Sequence, residues 1–408
     1  MKRISIIGLC LATAAAATAQ KAVVKEAESA MKSGKPFVEV VNIITPAFTN
    51  PETEKQADIY FIPGKAGFKE YDDVLGKKQI GLIKADDPQV AAAANALMGG
   101  YEYFLKALPL DSLPNEKGKV KPKYSKEIIN TIVGHQSDFN LAAIDFYNAK
   151  EYGKAYDSWD IFINFPNNPV LANAKIQQFP DSTMSDICYN QGIAAWQDNN
   201  FEKAIKAFRN AISKGYNKKS VFDYGMAVAQ NGKDNDALLE FAEAGNKLYG
   251  SEDNTYLNMI VNYYLNTEKY DEAMVFLNKG IEENPDNAQY YALAGIIYDN
   301  QNQRDKAFEM YDKSVSLDPN NGLGNFYLGR AYAAKAGDLS DAYTGNDYDS
   351  YKVRELYPLY NKAKDYLEKA YEVDENNRSQ ILTVLDIVYY NLNDAAGQES
   401  VKERKMAD

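Results

Sequence analysis

Covalent or proton-transfer chemistry would start at a cysteine or a histidine, and the chain has only Cys10, Cys188 and His135. A nucleophile needs a base beside it, and a metal cage needs several such ligands at short spacing. Cys188 stands in DICYNQGIAAW, an apolar setting that suits a small buried thiol rather than a reactive one. His135 follows Gly134 near a helix start, has no second histidine to pair with, and fits a surface or capping role. No G-x-x-x-x-G-K-[ST] occurs, so there is no phosphate cradle. The acids clustered over Asp338–Asp349 miss the spacing of a calcium loop and read as a polar excursion. The locally basic stretch Asn115–Lys123 reads as a solvated connector. No catalytic residue, metal site or cofactor is therefore expected, and the chain is not read as an enzyme.

Of the 408 residues, 57 are acidic and 45 basic, a net charge of −12. Such a surface repels phosphate backbones, so nucleic acid is not an expected partner. The Met-Lys-Arg start, the apolar run Ile4–Ala17 and Ala17-Thr18-Ala19 predict a cleavable export signal over residues 1–19, cut before Gln20. Lipidation at Cys10 is the rival, and Leu9 stands where such signals have a small residue. The expected place is thus the periplasm or the outer-membrane periphery. No later apolar run has the length of a membrane span.

Elements must position whatever side chains act, and here they repeat. An alanine, then an aromatic or Leu four residues on, then a small residue three beyond, recurs as Ala204/Phe208/Ala211, Ala237/Phe241/Ala244, Ala273/Leu277/Gly280 and Ala307/Tyr311/Ser314. The alanines are 33, 36 and 34 residues apart. Upstream of each lies a pair such as Gly192 with Ala195, Gly225 with Val228, Val261 with Tyr264 or Gly295 with Tyr298. Pro285 and Pro319 close two units at one offset. Helices approach at ~8–10 Å only over small residues, so Gly295 and Ala307 are expected contact points, with Tyr298 and Tyr311 filling the gaps beside them.

These residues resemble the tetratricopeptide repeat, a pair of antiparallel helices of 34 residues. The resemblance implies an all-α, right-handed superhelical solenoid of about six or seven tandem helix pairs, and no activity of its own. The chain as a whole looks like exported tetratricopeptide proteins of Bacteroidota. Degenerate pairs with an insertion are expected over residues 20–133, where Pro63 beside Gly64 weakens the case for one helix. A solenoid follows over 134–376, with an insertion at about 335–358, and capping helices over 377–408 close the end.

A repeat helix spends one stripe on its neighbours, and the side chains one position on turn about 100° away to line a concave groove. That shift selects Asn140, Tyr147 and Asn148; Tyr189 and Trp196; Phe222 and Met226; Asn258, Asn262 and Asn266; Asp299 and Asn300; and Phe326 and Arg330. Amides there would pair with an extended peptide backbone, and the rings would anchor it. The expected function is a non-catalytic scaffold binding a protein or peptide in this groove, within an envelope complex. The alternative is a glycan-binding or nutrient-uptake accessory protein of the outer membrane, suggested by the 31 tyrosines.

Overall fold

The computed structural model describes residues 21–114 and 117–407, so the expected export signal lies outside the described residues. Two compact units divide between Ala237 and Leu238. Among the described residues every regular element is helical, apart from one isolated bridge between Pro114 and Val120.

Unit 1 begins with α1 (residues 21–32) and α2 (Phe37–Ile44), whose Ala27, Met31, Val40 and Ile44 form a small core. Next come α3 (Asp58–Gln79) and α4 (Pro88–Asp111). Pro63 does not interrupt α3: the helix runs through it, forgoing the backward amide bond that another residue would make there to Ile59. A Cβ on Gly64 would come within 2.3 Å of the Phe104 ring, and one on Gly67 within 2.2 Å of the Ala96 carbonyl. Small residues thus let two long helices cross closely, and the extra residues of this pair are spent lengthening them. The shorter α5 (Ser125–Gly134) turns at His135 into α6 (Gln136–Asn148), which pairs with α7 (Tyr152–Asn164). α8 (Asp181–Gln197) pairs with α9 (Phe201–Ser213), and α10 (Lys219–Gly232) follows. α11 (Asn235–Tyr249) carries the division between units in its first turn.

Unit 2 continues with α12 (Thr255–Asn266) and α13 (Tyr270–Glu283), then α14 (Ala288–Asn300) and α15 (Arg304–Leu317). α16 (Gly322–Ala342) pairs with α18 (Tyr357–Val373). Residues inserted between them extend α16 and form the short α17 (Tyr348–Tyr351) and a π-helical turn over Lys352–Leu356. The acidic stretch expected as a loop is therefore partly helical. Last come α19 (Arg378–Asn391) and α20 (Ala395–Ala407), which buries Val401 and turns mostly charged residues outward.

The periodic small residues meet periodic large ones. Gly192 faces the Phe208 ring, and Gly295 faces Tyr311, where a Cβ would lie 2.5 and 2.3 Å from ring carbons. The expected neighbour contact at Gly295 is thus specifically room for Tyr311, whose side chain is fully buried. Six of the helix pairs also turn through a left-handed residue: Lys150, Asn199, Lys233, Glu268, Asn302 and Asn393 all have φ between 55 and 62°. After each, an amide reaches back to a carbonyl five residues earlier, as in Asn200 N to Ala195 O (2.8 Å) and Gln303 N to Tyr298 O (2.8 Å). This is the Schellman closure of a helix C-terminus.

Candidate partner-binding faces

In unit 1 the first helices of successive pairs expose a run of rings. Tyr189 of α8 stacks on Tyr216, centroids 4.4 Å apart and planes 10° apart, and lies nearly parallel to Tyr224 of α10 at 6.3 Å. Trp196, two turns along α8, leans on Tyr224 at 5.3 Å. Tyr216 is buried and Tyr189 and Trp196 are half-buried, while Tyr224 is 38% exposed. Lys218 Nζ stands 5.0 Å from the Tyr216 ring, and also pairs with Asp186 at 3.5 Å. Burial raises the Tyr189 phenol above its ordinary pKa, and a hydrogen bond with Ser220 partly offsets the rise. The cluster presents apolar ring faces with polar edges.

On α6, Tyr147 packs edge-on to Tyr152 at 5.2 Å and beside Trp159 at 6.3 Å. Leu141 and Ile144 are 40% and 43% exposed on the same helix, and Asn148 is exposed. Asn140 is engaged, its Oδ1 accepting from Trp159 Nε1–H at 2.8 Å. Phe222 and Met226 of α10 are buried instead of lining a surface. Val221, Phe222, Gly225, Met226, Val228 and Ala229 are all buried, so α10 is covered over an arc too wide for a one-residue shift to escape. Tyr224, which the shift passes over, is the ring that α10 exposes.

Unit 2 has a different character. Asn258 Oδ1 accepts from Gln289 Nε2 (2.7 Å), Gln289 Oε1 accepts from Asn321 Nδ2 (3.0 Å), and Asn321 Oδ1 accepts from Gly324 N (2.7 Å). Asn258, expected to await a peptide, is thus tied into a chain of amides that runs from α12 to α16. Asn262 and Asn266 are exposed. A cleft of about 910 Å³ opens between α14, α15 and the extended α16, lined in part by Asp299, Asn300, Arg330, Lys335 and Asp338. Asp299 accepts from the Tyr311 hydroxyl at 3.0 Å, and Asn300 returns its Nδ2 to the Ile296 carbonyl. Phe326 is 3% exposed and belongs to the core, whereas Arg330 is exposed with its guanidinium over Tyr327 at 5.1 Å and Phe326 at 5.8 Å.

The residues that first suggested chemistry are used structurally. Cys188 is fully buried, and burial pushes its thiol up to about 11, far from a thiolate at neutral pH. Both ring nitrogens of His135 are held by oxygen atoms.

Stacked two-helix units with small-on-large crossings and left-handed turns define an α-helical repeat protein. Residues 185–213, 255–287 and 288–321 match the sequence profile of the tetratricopeptide repeat, so the chain carries tetratricopeptide repeats over those residues. The human interferon-induced protein with tetratricopeptide repeats 2 is 26% identical over 188 residues, which are 44% of this chain and 38% of that protein; the match thus spans well under half of the relative's length. Among solved structures, the C-terminal part of a TPR repeat-containing protein from Cytophaga hutchinsonii is 18% identical. It covers 66% of this chain and 94% of its own, with a TM-score of 0.36. YrrB, described as a TPR protein with an unusual peptide-binding site, is 16% identical, covers 49% of this chain and 91% of its own, and has a TM-score of 0.30.

Proposed function

We propose that the protein is a non-catalytic scaffold that receives an extended polypeptide segment on the aromatic face of unit 1, in the cell envelope. The repeats support an interaction scaffold in general. The observation carrying the finer reading is the cluster Tyr189, Trp196 and Tyr224, with exposed Ile144 and half-buried Tyr147 on α6. Rings held by one another lose little rotamer freedom on binding, so they contribute contact area at low entropic cost. Tyr189 is stacked with both Tyr216 and Tyr224, which suits side chains of a polypeptide better than the broad face of a sugar ring. The envelope location rests on the Met1–Ala19 sequence alone.

The test is selection of peptides from a displayed random library on the purified chain, followed by binding titrations with Trp196→Ala/Tyr224→Ala. The selected peptides are expected to carry apolar or aromatic side chains and to weaken at least ~10-fold against the double variant, with its helical circular dichroism kept. Equal affinity for both proteins would remove this face from the reading. Selection of nothing, with hits on a glycan array instead, would favour the sugar-binding alternative.

A further inference from the structure

We propose that His135 is a proton-operated fastening between α3 and the α5–α6 elbow, so that unit 1 loosens along this seam as pH rises and the ring gives up its proton. Its Nε2 lies 2.9 Å from Asp72 Oδ1 of α3, and its Nδ1 lies 2.7 Å from the Thr131 carbonyl of α5. Both partners only accept at those atoms, because one is a carboxylate and the other a backbone oxygen. A neutral imidazole carries one N–H, so it would turn a lone pair onto one of the two oxygens. Only the imidazolium donates to both.

The surroundings hold that charge in place. α3 contributes Asp72, the Phe68 ring edge-on to the imidazole at 4.8 Å, and Tyr71, whose hydroxyl reaches the Asp138 carbonyl at 3.4 Å. α6 contributes the Asp138 carboxylate, and α5 only the Thr131 carbonyl. Two carboxylates thus face the ring, with no second cation among the groups that act on it. The His135 side chain is 15% exposed, so a ring nitrogen left facing an oxygen has little water to turn to, while Asp72, 57% exposed, can rehydrate. Burial opposes the charge, but the hydrogen bonds to Asp72 and Thr131 and the two carboxylates outweigh it, holding the ring above its ordinary 6.5. A raised histidine contributes stability that is complete below the unfolded value and lost as pH climbs through the folded one. The elbow leads directly into α6, which carries Ile144 and Tyr147, so the seam lies at the root of the helix that presents them.

His135 is the chain's sole histidine, so the whole protein gives a single pair of imidazole C–H resonances and the wild type can be titrated without any variant. The expected midpoint lies above 6.5, and Asp72→Asn moves it down. Thermal unfolding of the wild type is expected to fall between about pH 6 and about pH 8.5, with amides of α3 and α5 exchanging faster at the upper end, while His135→Gln flattens that fall. A midpoint at or below 6.5 overturns the proposal, and so does an identical pH dependence in the wild type and His135→Gln. If His135→Gln does not fold, the wild-type titration and its Asp72→Asn shift decide.

Discussion

Gln289 of α14 donates from Nε2 to Asn258 Oδ1 of α12 at 2.7 Å, tying the first helices of two successive repeats by their amides. Its Oε1 accepts from Asn321 at the start of α16, which itself caps that helix through Gly324 N. One buried side chain therefore satisfies a donor and an acceptor on two neighbours, and the relay fixes the register of three repeats. A polypeptide bound there would have to break bonds the chain already makes, which is why the aromatic face of unit 1 is the better receiving surface.

Removing the middle of the relay should cost more than one hydrogen bond. Gln289→Ala strands Asn258 Oδ1 and Asn321 Nδ2, and an expected loss of ~1–3 kcal/mol follows from leaving semi-buried polar groups unmade. Urea unfolding of the full chain measures it. A change within error of zero would mean water replaces the amide and the relay sets nothing.

Gly295 is a site where one methyl group has nowhere to go. Its Cβ would stand 2.3 Å from the ring of fully buried Tyr311. Gly295→Ala should destabilise by ~1–3 kcal/mol despite the better helix propensity of alanine, because overpacking outweighs a gain of under about 1 kcal/mol. Ala307→Leu, at a position 1% exposed, is expected to fall in the same range. Melting curves that match the wild type in both would place the helix crossing elsewhere.

The helix pairs were legible because burial there acts on residue type: Gly192 against Phe208 and Gly295 against Tyr311 leave a periodic trace. The surface was legible only where a first helix is covered along one stripe. On α8 the one-residue shift reached Tyr189 and Trp196, which are half-exposed, but on the broadly covered α10 it selected buried Phe222 and passed over Tyr224. Phe326 on α16 failed for the same reason. The amide relay left no trace, since it joins residues about 31 apart that are unremarkable singly. Extra residues around α3, α4 and α16 could be counted in the sequence, but nothing in their composition said that they would lengthen helices.

The turns within the pairs illustrate a backbone feature that residue identity hides. Asn199, Lys233, Glu268 and Asn302 recur at the repeat period with φ of 55–59°, yet three residue types fill the four positions. Lysine and glutamate lack the local hydrogen bonding that helps asparagine tolerate this region. Lys233→Gly and Glu268→Gly should each stabilise by ~0.5–1 kcal/mol, the relief of left-handed strain exceeding glycine's entropy in the unfolded chain. Asn302→Gly should gain less. Chemical denaturation of the three variants ranks them, and destabilisation by Lys233→Gly would mean its side chain has a role beyond the turn.

Asp111 contributes to the acid limit of unit 1. Its carboxylate, 9% exposed at the end of α4, accepts from the amides of Lys123, Tyr124 and Ser125 at 2.7–2.9 Å and from the Ser125 hydroxyl at 2.7 Å. It thereby closes the connector after α4 and holds the first turn of α5. Burial works to raise its pKa, but the Ser125 hydroxyl and the three amides together outweigh it and hold the carboxyl below the ordinary value of 3.8. The stability from a depressed carboxylate is fully present above the unfolded pKa and disappears as pH falls through the folded one. Asp111→Asn can accept at one oxygen only, so at neutral pH it should lose ~1–3 kcal/mol and free the 117–124 connector to proteases. Its stability should then decline less steeply than the wild type's below about pH 4, because the group whose protonation drives part of that decline is gone. Parallel acid titrations of the two proteins, followed by circular dichroism, would refute this if their slopes coincide.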